Sequence, residues 1–198
     1  MKPVLIIYAH PKTAGHCPIY LEEVESYLKG KSIPYELIDL YAINYDPVLH
    51  ESELYSAGNR EVSAQNKEFQ EKITNSERLV FIYPVWWNSM PAILKGWFDR
   101  VFTPHFAFKF HKLGPIAGVP LALLKGRKAV AFVTTGSSGL RTLLFLGNHF
   151  KTLLRTNLLG FFGIRTRVYH LGEALQVTDG NKARIRRLVS RGMGWVLQ

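Results

Sequence analysis

The stretch YPVWWNSMPAILKGWFDRVF, residues 83–102, sets two indoles side by side between an apolar run and a helix. Residues 78–85, RLVFIYPV, read as a continuous buried strand. Pro91 then opens a helix at its first turn, where a missing N–H does no harm. Trp86 and Trp87 therefore sit in a short strand-to-helix turn. Core packing seldom needs adjacent tryptophans. An aromatic-lined turn with free backbone N–H groups suits a flat heteroaromatic ligand.

Working outward, the same alternation repeats. PVLIIYA (3–9), PYELIDL (34–40), GRKAVAFVTTG (126–136) and IRTRVYHL (164–171) supply four further strands. Helical spacing is expected at 18–30, 60–75, from Pro91, over roughly 142–158 and from about 180. The long connection after the second strand carries turn chemistry at Asp46-Pro47 and Gly58-Asn59. Strands separated by helices imply right-handed crossovers and an open parallel sheet with helices on both faces. Ligands of such α/β folds sit at the carboxyl ends of the strands, where strand order reverses. That rule marks three loops: 9–18, 83–91 and 134–142.

The first loop, AHPKTAGHCP, leads into a helix whose N-terminal amides favour an anion, with Lys12, Thr13, Gly15 and His16 alongside. It is neither a Walker A motif nor a G-x-G-x-x-G fingerprint. The third, TTGSSG, offers Thr134, Thr135 and Ser137 as polar partners. Gly136 and Gly139 allow close backbone approach.

At 198 residues, 47% hydrophobic and 20% charged, the chain fits one globular domain over 1–198. The lone Cys17 excludes an internal disulfide framework and fits a reducing compartment, so a cytoplasmic protein is expected. The opening MKPVLIIYAHP reads as a strand rather than a secretion signal. The net charge of +10 fits anionic partners, but no nucleic-acid motif accompanies it. The histidines lack zinc-like spacing, so no metal is expected. The C-terminal cluster Lys182, Arg184, Arg186, Arg187 and Arg191 reads first as a solvated helix face. A phosphate-bearing ligand, a lipid surface and an acidic partner are the other readings.

Taken together, LIIYAHP, LIDLYAINYDPVL, the 83–102 block and VTTGSSG resemble the NAD(P)H:quinone oxidoreductase (DT-diaphorase) family of flavodoxin-like proteins. The resemblance implies an α/β fold with a five-stranded parallel sheet in the order 2-1-3-4-5. It implies a bound flavin, FMN or FAD, that carries hydride through N5 from NADH or NADPH to a quinone in a ping-pong cycle. FMN is favoured because no adenine platform is legible. By resemblance, His10 to Cys17 hold the phosphate and ribityl chain. Pro84, Val85, Trp86, Trp87 and Asn88 lie on the ring, and Thr134, Thr135, Gly136, Ser137 and Gly139 hold its pyrimidine end. Trp87, Asn88 and His149, or Asn148 with a different gap, stand at the reacting end. Phe108 and Phe110 replace quinone-pocket tyrosines.

Gly15, His16 and Cys17 depart from the family's Ser, apolar, Asn or Thr pattern. A homodimer with its active site at the interface is implied. Two alternatives accompany this reading. One is a flavin-binding accessory subunit of a potassium-efflux transporter, with a peripheral membrane-protein partner. The other is a flavodoxin-like electron carrier.

Overall fold

Five parallel strands form the central sheet of the computed structural model, which describes residues 2–54, 61–113 and 117–198. They are β1 (Val4–Tyr8), β2 (Tyr35–Asp39), β3 (Arg78–Pro84), β6 (Lys128–Thr134) and β7 (Arg165–Leu171), in the order β2-β1-β3-β6-β7. This is the expected 2-1-3-4-5 order once an intervening hairpin is numbered. The hairpin was not anticipated: β4 (Phe108–Leu113) pairs antiparallel with β5 (Ala117–Ala122). Its first strand alternates, FKFHKL, but Pro120 in the second weakens the strand pattern.

The helices are α1 (His16–Gly30), α2 (Ala64–Asn75), α3 (Ala92–Val101), α4 (Gly139–Leu146), α5 (His149–Thr152) and α6 (Asp179–Val196). The helix expected over roughly 142–158 is in fact broken. Gly147 (φ 61°) and Asn148 (φ 53°) both adopt left-handed conformations that end α4, and α5 runs on into a π-helical turn, Leu153–Leu158. At the expected Asp46-Pro47 turn, the Val48 amide donates to Asp46 Oδ1 (3.0 Å). The other expected turn, Gly58-Asn59, lies outside the described residues.

β1 and β3 are buried along both faces, which explains their continuous apolar sequence. One face packs on α1 and α6 through Val24, Leu28, Ile185, Val189 and Met193. The other packs on α2 and α3 through Phe69, Ile73, Leu94, Trp97 and Phe98. The connection after β2 crosses α3 at Gly96. A Cβ there would lie 2.1 Å from the Pro47 carbonyl oxygen, so only glycine permits the crossing. Among the described residues, no helix is long and apolar enough to cross a membrane.

Candidate active site

Strand order reverses between β1 and β3, and the chain opens a cleft at their carboxyl ends. It is a cavity of about 340 Å³ into which all three marked loops converge. His10, Lys12, Gly15, His16 and Cys17 line it from the first loop. Pro84, Val85 and Trp86 come from the second, and Thr134, Thr135 and Gly136 from the third. Ala14, Ala174 and Leu175 complete the lining, and no carboxylate belongs to it.

The α1 end of the cleft is an uncapped helix N-terminus. α2, α4 and α6 each begin with a hydroxyl cap: Ser63, Ser138 and Thr178 accept from the amides of Asn66, Arg141 and Asn181. α1 begins at Gly15, which has no side chain to cap it. The His16 and Cys17 amides are thus left as donors facing the cleft beside Lys12. Gly15 has φ 127° and ψ −167°, a backbone conformation essentially reserved for glycine.

The His16 ring is buried and held from α6, with Asn181 Nδ2 3.3 Å from His16 Nε2. Burial lowers its pKa, against a hydrogen bond to the Gln176 backbone that raises it. A mostly neutral ring results at neutral pH. Cys17 Sγ lies 3.7 Å from Thr134 Oγ1. Burial pushes its thiol up to about 12, so Cys17 is a packing group and not a nucleophile.

The second loop is a tight two-residue turn. Trp86 and Ser89 exchange backbone hydrogen bonds of 2.9 and 3.0 Å. Trp87 (φ 51°) and Asn88 (φ 58°) occupy its tip, both in the left-handed region. Such a conformation is costly for a tryptophan. Trp86 lines the cleft, whereas Trp87 is fully exposed at the tip. The Val85 and Trp86 amides are consumed by Thr134 O and Ser89 O, whereas that of Trp87 has no partner among the described residues.

In the third loop, the Thr135 amide is committed to Leu171 O (3.0 Å). Those of Gly136 and Ser137 have no partner among the described residues. A residue that sequence reading missed fixes this loop. Thr135 Oγ1 donates to Ser137 O (2.8 Å) and lies 2.6 Å from His170 Nε2. With its one proton so used, the hydroxyl must accept from an Nε2–H. The His170 and Phe150 rings meet in a T-shaped contact, centroids 5.2 Å apart. Gly172 closes the arrangement: a Cβ there would stand 2.8 Å from the Gly139 nitrogen and 2.9 Å from Ser137 O. The signal for His170, Gly172, Ala174 and Leu175 was available. The loop after the fifth strand lies at the same rim and obeys the same rule.

Burial first, then the charges of Lys151 and Arg184, hold the His170 pKa down to about 4. The unfolded chain therefore binds this proton more readily than the folded one. The His170 contribution is complete above about pH 6.5 and is lost as pH falls towards 4. For a partly exposed ring this is about 1–2 kcal/mol after solvent screening. Thermal melts at pH 7.5 and 4.5 should thus show a smaller drop for His170→Gln than for wild type. Equal drops would contradict this account of the ring.

The remaining expected residues fall elsewhere. Thr13 faces an adjoining hollow of about 400 Å³ that shares His10 and Lys12 with the cleft. Ser137 and Gly139 support the third loop from behind, outside the cleft lining. His149 is exposed on α5, also outside that lining. Phe108 and Phe110 line a separate apolar cavity of about 540 Å³ with Phe98, Phe102, Phe161 and Phe162. Among the described residues, no group of three or more His, Cys, Asp or Glu could hold a metal ion.

An open parallel sheet with a three-loop cleft at its switch point defines a doubly wound α/β protein. The chain belongs to the flavodoxin-like fold family, whose model matches residues 2–191. It is 31% identical over 135 residues to an uncharacterized NAD(P)H oxidoreductase of Haemophilus influenzae, covering 68% of this chain and 64% of that one. It is 30% identical over 157 residues to human ribosyldihydronicotinamide dehydrogenase [quinone], covering 69% and 64%. The matches thus span just under two thirds of these curated relatives.

Among solved structures, the NAD(P)H:quinone oxidoreductase of Methanothermobacter marburgensis aligns with TM-score 0.76 and 27% identity, covering 98% of this chain and 96% of that one. An FMN-dependent NADH-azoreductase of Bacillus anthracis, solved with FMN, aligns with TM-score 0.72 and 16% identity, covering 98% and 99%, and shares the fold.

Proposed function

We propose that this chain is a flavin-dependent NAD(P)H:quinone oxidoreductase. The observation that carries the reading is the convergence of three loops on one cleft with a bare helix N-terminus at one end and open amides at the other. The residues fit a flavin mononucleotide. His16 and Cys17 amides and Lys12 would hold its phosphate, Trp86 would wall the ring, and the Gly136 amide would meet its polar edge. When bound, the flavin supplies the hydride-transfer chemistry.

The protein's part is orientation, exclusion of water and charge stabilisation. The Gly136 amide, in a loop fixed by the His170–Thr135 link, would stabilise negative charge with little reorganisation. Lys12 and an acid-free lining favour the anionic hydride donor.

A homodimer belongs to the same proposal. Phe108 and Phe110 line no part of their own chain's cleft, so they would serve a quinone only at the cleft of a second copy. Trp87 and Phe110 are exposed, as are Leu140, Leu143 and Leu144 on one face of α4, and pairing would cover them.

The purified protein is expected to be yellow, with flavin bands near about 370 and 450 nm, and to oxidise NAD(P)H with menadione. Varying NADPH against a benzoquinone should give parallel double-reciprocal lines. Intersecting lines would overturn the shared-site scheme. Protein that stays colourless after incubation with FMN would overturn the cofactor.

A further inference from the structure

Beside the open edge of β7 lies a hollow of about 290 Å³ that shares no residue with the cleft. It is lined by Lys151, Arg155, Arg167 and Arg191, with Thr166 and Tyr169 between them, and by no carboxylate. The four cations come from three elements: α5 with its π-helical turn, β7, and α6. None of the four is ion-paired among the described residues. Their neighbours on α6 differ, since Lys182 pairs with Asp179 and Arg186 with Glu23.

Two bland explanations fall short. An edge strand is guarded against pairing by charges on the strand itself, a need that Arg165 and Arg167 already meet. That leaves Lys151, Arg155 and Arg191 unexplained. Like charges a few ångströms apart repel by about 1 kcal/mol even in water. Here exposed Arg155, Arg167 and Arg191 and half-buried Lys151 nonetheless line one hollow without a carboxylate among them. The Arg167 guanidinium is held 4.7 Å above the Trp195 ring, and Tyr169 donates its hydroxyl proton to the Arg191 carbonyl (3.4 Å), which pins that turn of α6. Lys151 is half-buried and rests 5.7 Å from the Phe150 ring centroid. Three guanidinium forks and an ammonium around one small hollow match the oxygens of a doubly charged phosphate group.

We propose that this hollow is a binding site for the phosphomonoester or diphosphate group of a small molecule. It stands apart from the flavin reading, since its residues are absent from the cleft. The same chemistry has two sources: the 2′-phosphate of a pyridine nucleotide, or a free phosphate compound.

The test is calorimetric titration of the full chain with inorganic pyrophosphate at 150 mM salt, a value of about physiological strength. Saturable one-to-one binding is expected. Arg155→Gln/Arg191→Gln should weaken it about tenfold or more, as loss of charge-assisted bonds predicts. Lys31→Gln/Arg187→Gln removes the same charge from exposed positions outside the hollow and should leave it unchanged. Competition then separates the sources. Displacement by NADPH but not NADH assigns the 2′-phosphate, and displacement by neither assigns a free phosphate compound; both support the site. No saturable binding, an equal loss in both double variants, or binding only to anionic phospholipid vesicles would overturn it.

Discussion

Gly15→Ala is expected to weaken FMN binding by roughly ten- to hundredfold, the equivalent of 1–3 kcal/mol of backbone strain. Nothing lies within 4 Å of where the new Cβ would stand, so a clash is not the cause. The cause is the conformation itself. At φ 127° and ψ −167°, an alanine must either hold a strained backbone or rotate out of it. Rotation swings the His16 and Cys17 amides, the uncapped donors of α1, away from their common focus. An N-terminal hydroxyl cap such as that of α2 or α6 would have tolerated the change, but α1 has none. Quenching of flavin fluorescence on titration measures the effect. Gly30→Ala, at the far end of α1 in open space and ordinary backbone, is the control that should leave affinity unchanged. Unchanged affinity in Gly15→Ala would remove the phosphate cradle from this end of the cleft.

Arg100→Met should cost about 3–5 kcal/mol of stability, lowering Tm by about 10 °C for a chain of this size. Arg100 is buried on α3, where its Nε lies 2.8 Å from Glu53 Oε2 and its Nη1 3.1 Å from Asp46 Oδ2. It also donates to the Asp46 carbonyl and lies 5.6 Å from the Tyr45 ring centroid. The Tyr45 hydroxyl in turn donates to Asn66 on α2 (3.0 Å). One guanidinium therefore ties the long connection after β2 to both helices on that face. Removing it strands the Glu53 carboxylate, whose side chain is only 9% exposed. An uncompensated buried charge is what makes breaking such a pair expensive. Arg100→Met/Glu53→Gln should recover part of the loss. Chemical denaturation of both variants measures it, and a loss under 1 kcal/mol for the single variant would show that the connection is held by its apolar contacts alone.

Periodicity made the sheet legible. β1, β3 and β6 are buried on both faces, so their sequences had to be apolar throughout, and the crossover rule then fixed a parallel sheet. The broken helix at 147–148 was less legible. Gly147-Asn148 is a stop signal only because both residues adopt left-handed conformations, and a single helical pattern ran across it. Phe108 and Phe110 carried no sign of their place outside the cleft, because the hairpin that bears them pairs locally and they line a separate cavity.

Length and charge are read directly from the sequence, and the strands and three rim loops rest on local pattern: alternation, apolar runs, and turn residues within a few positions of one another; the strand order came with the family resemblance. Tertiary structure alone decided which groups act together. It brought His170 onto Thr135 across 35 residues and Asn181 onto His16 across 165. It left α1 uncapped, sent His149 to the surface, and gathered Lys151, Arg155, Arg167 and Arg191 around one hollow. These contacts join residues far apart in the chain, and no local pattern encodes a distance that only packing of the helices on the sheet creates.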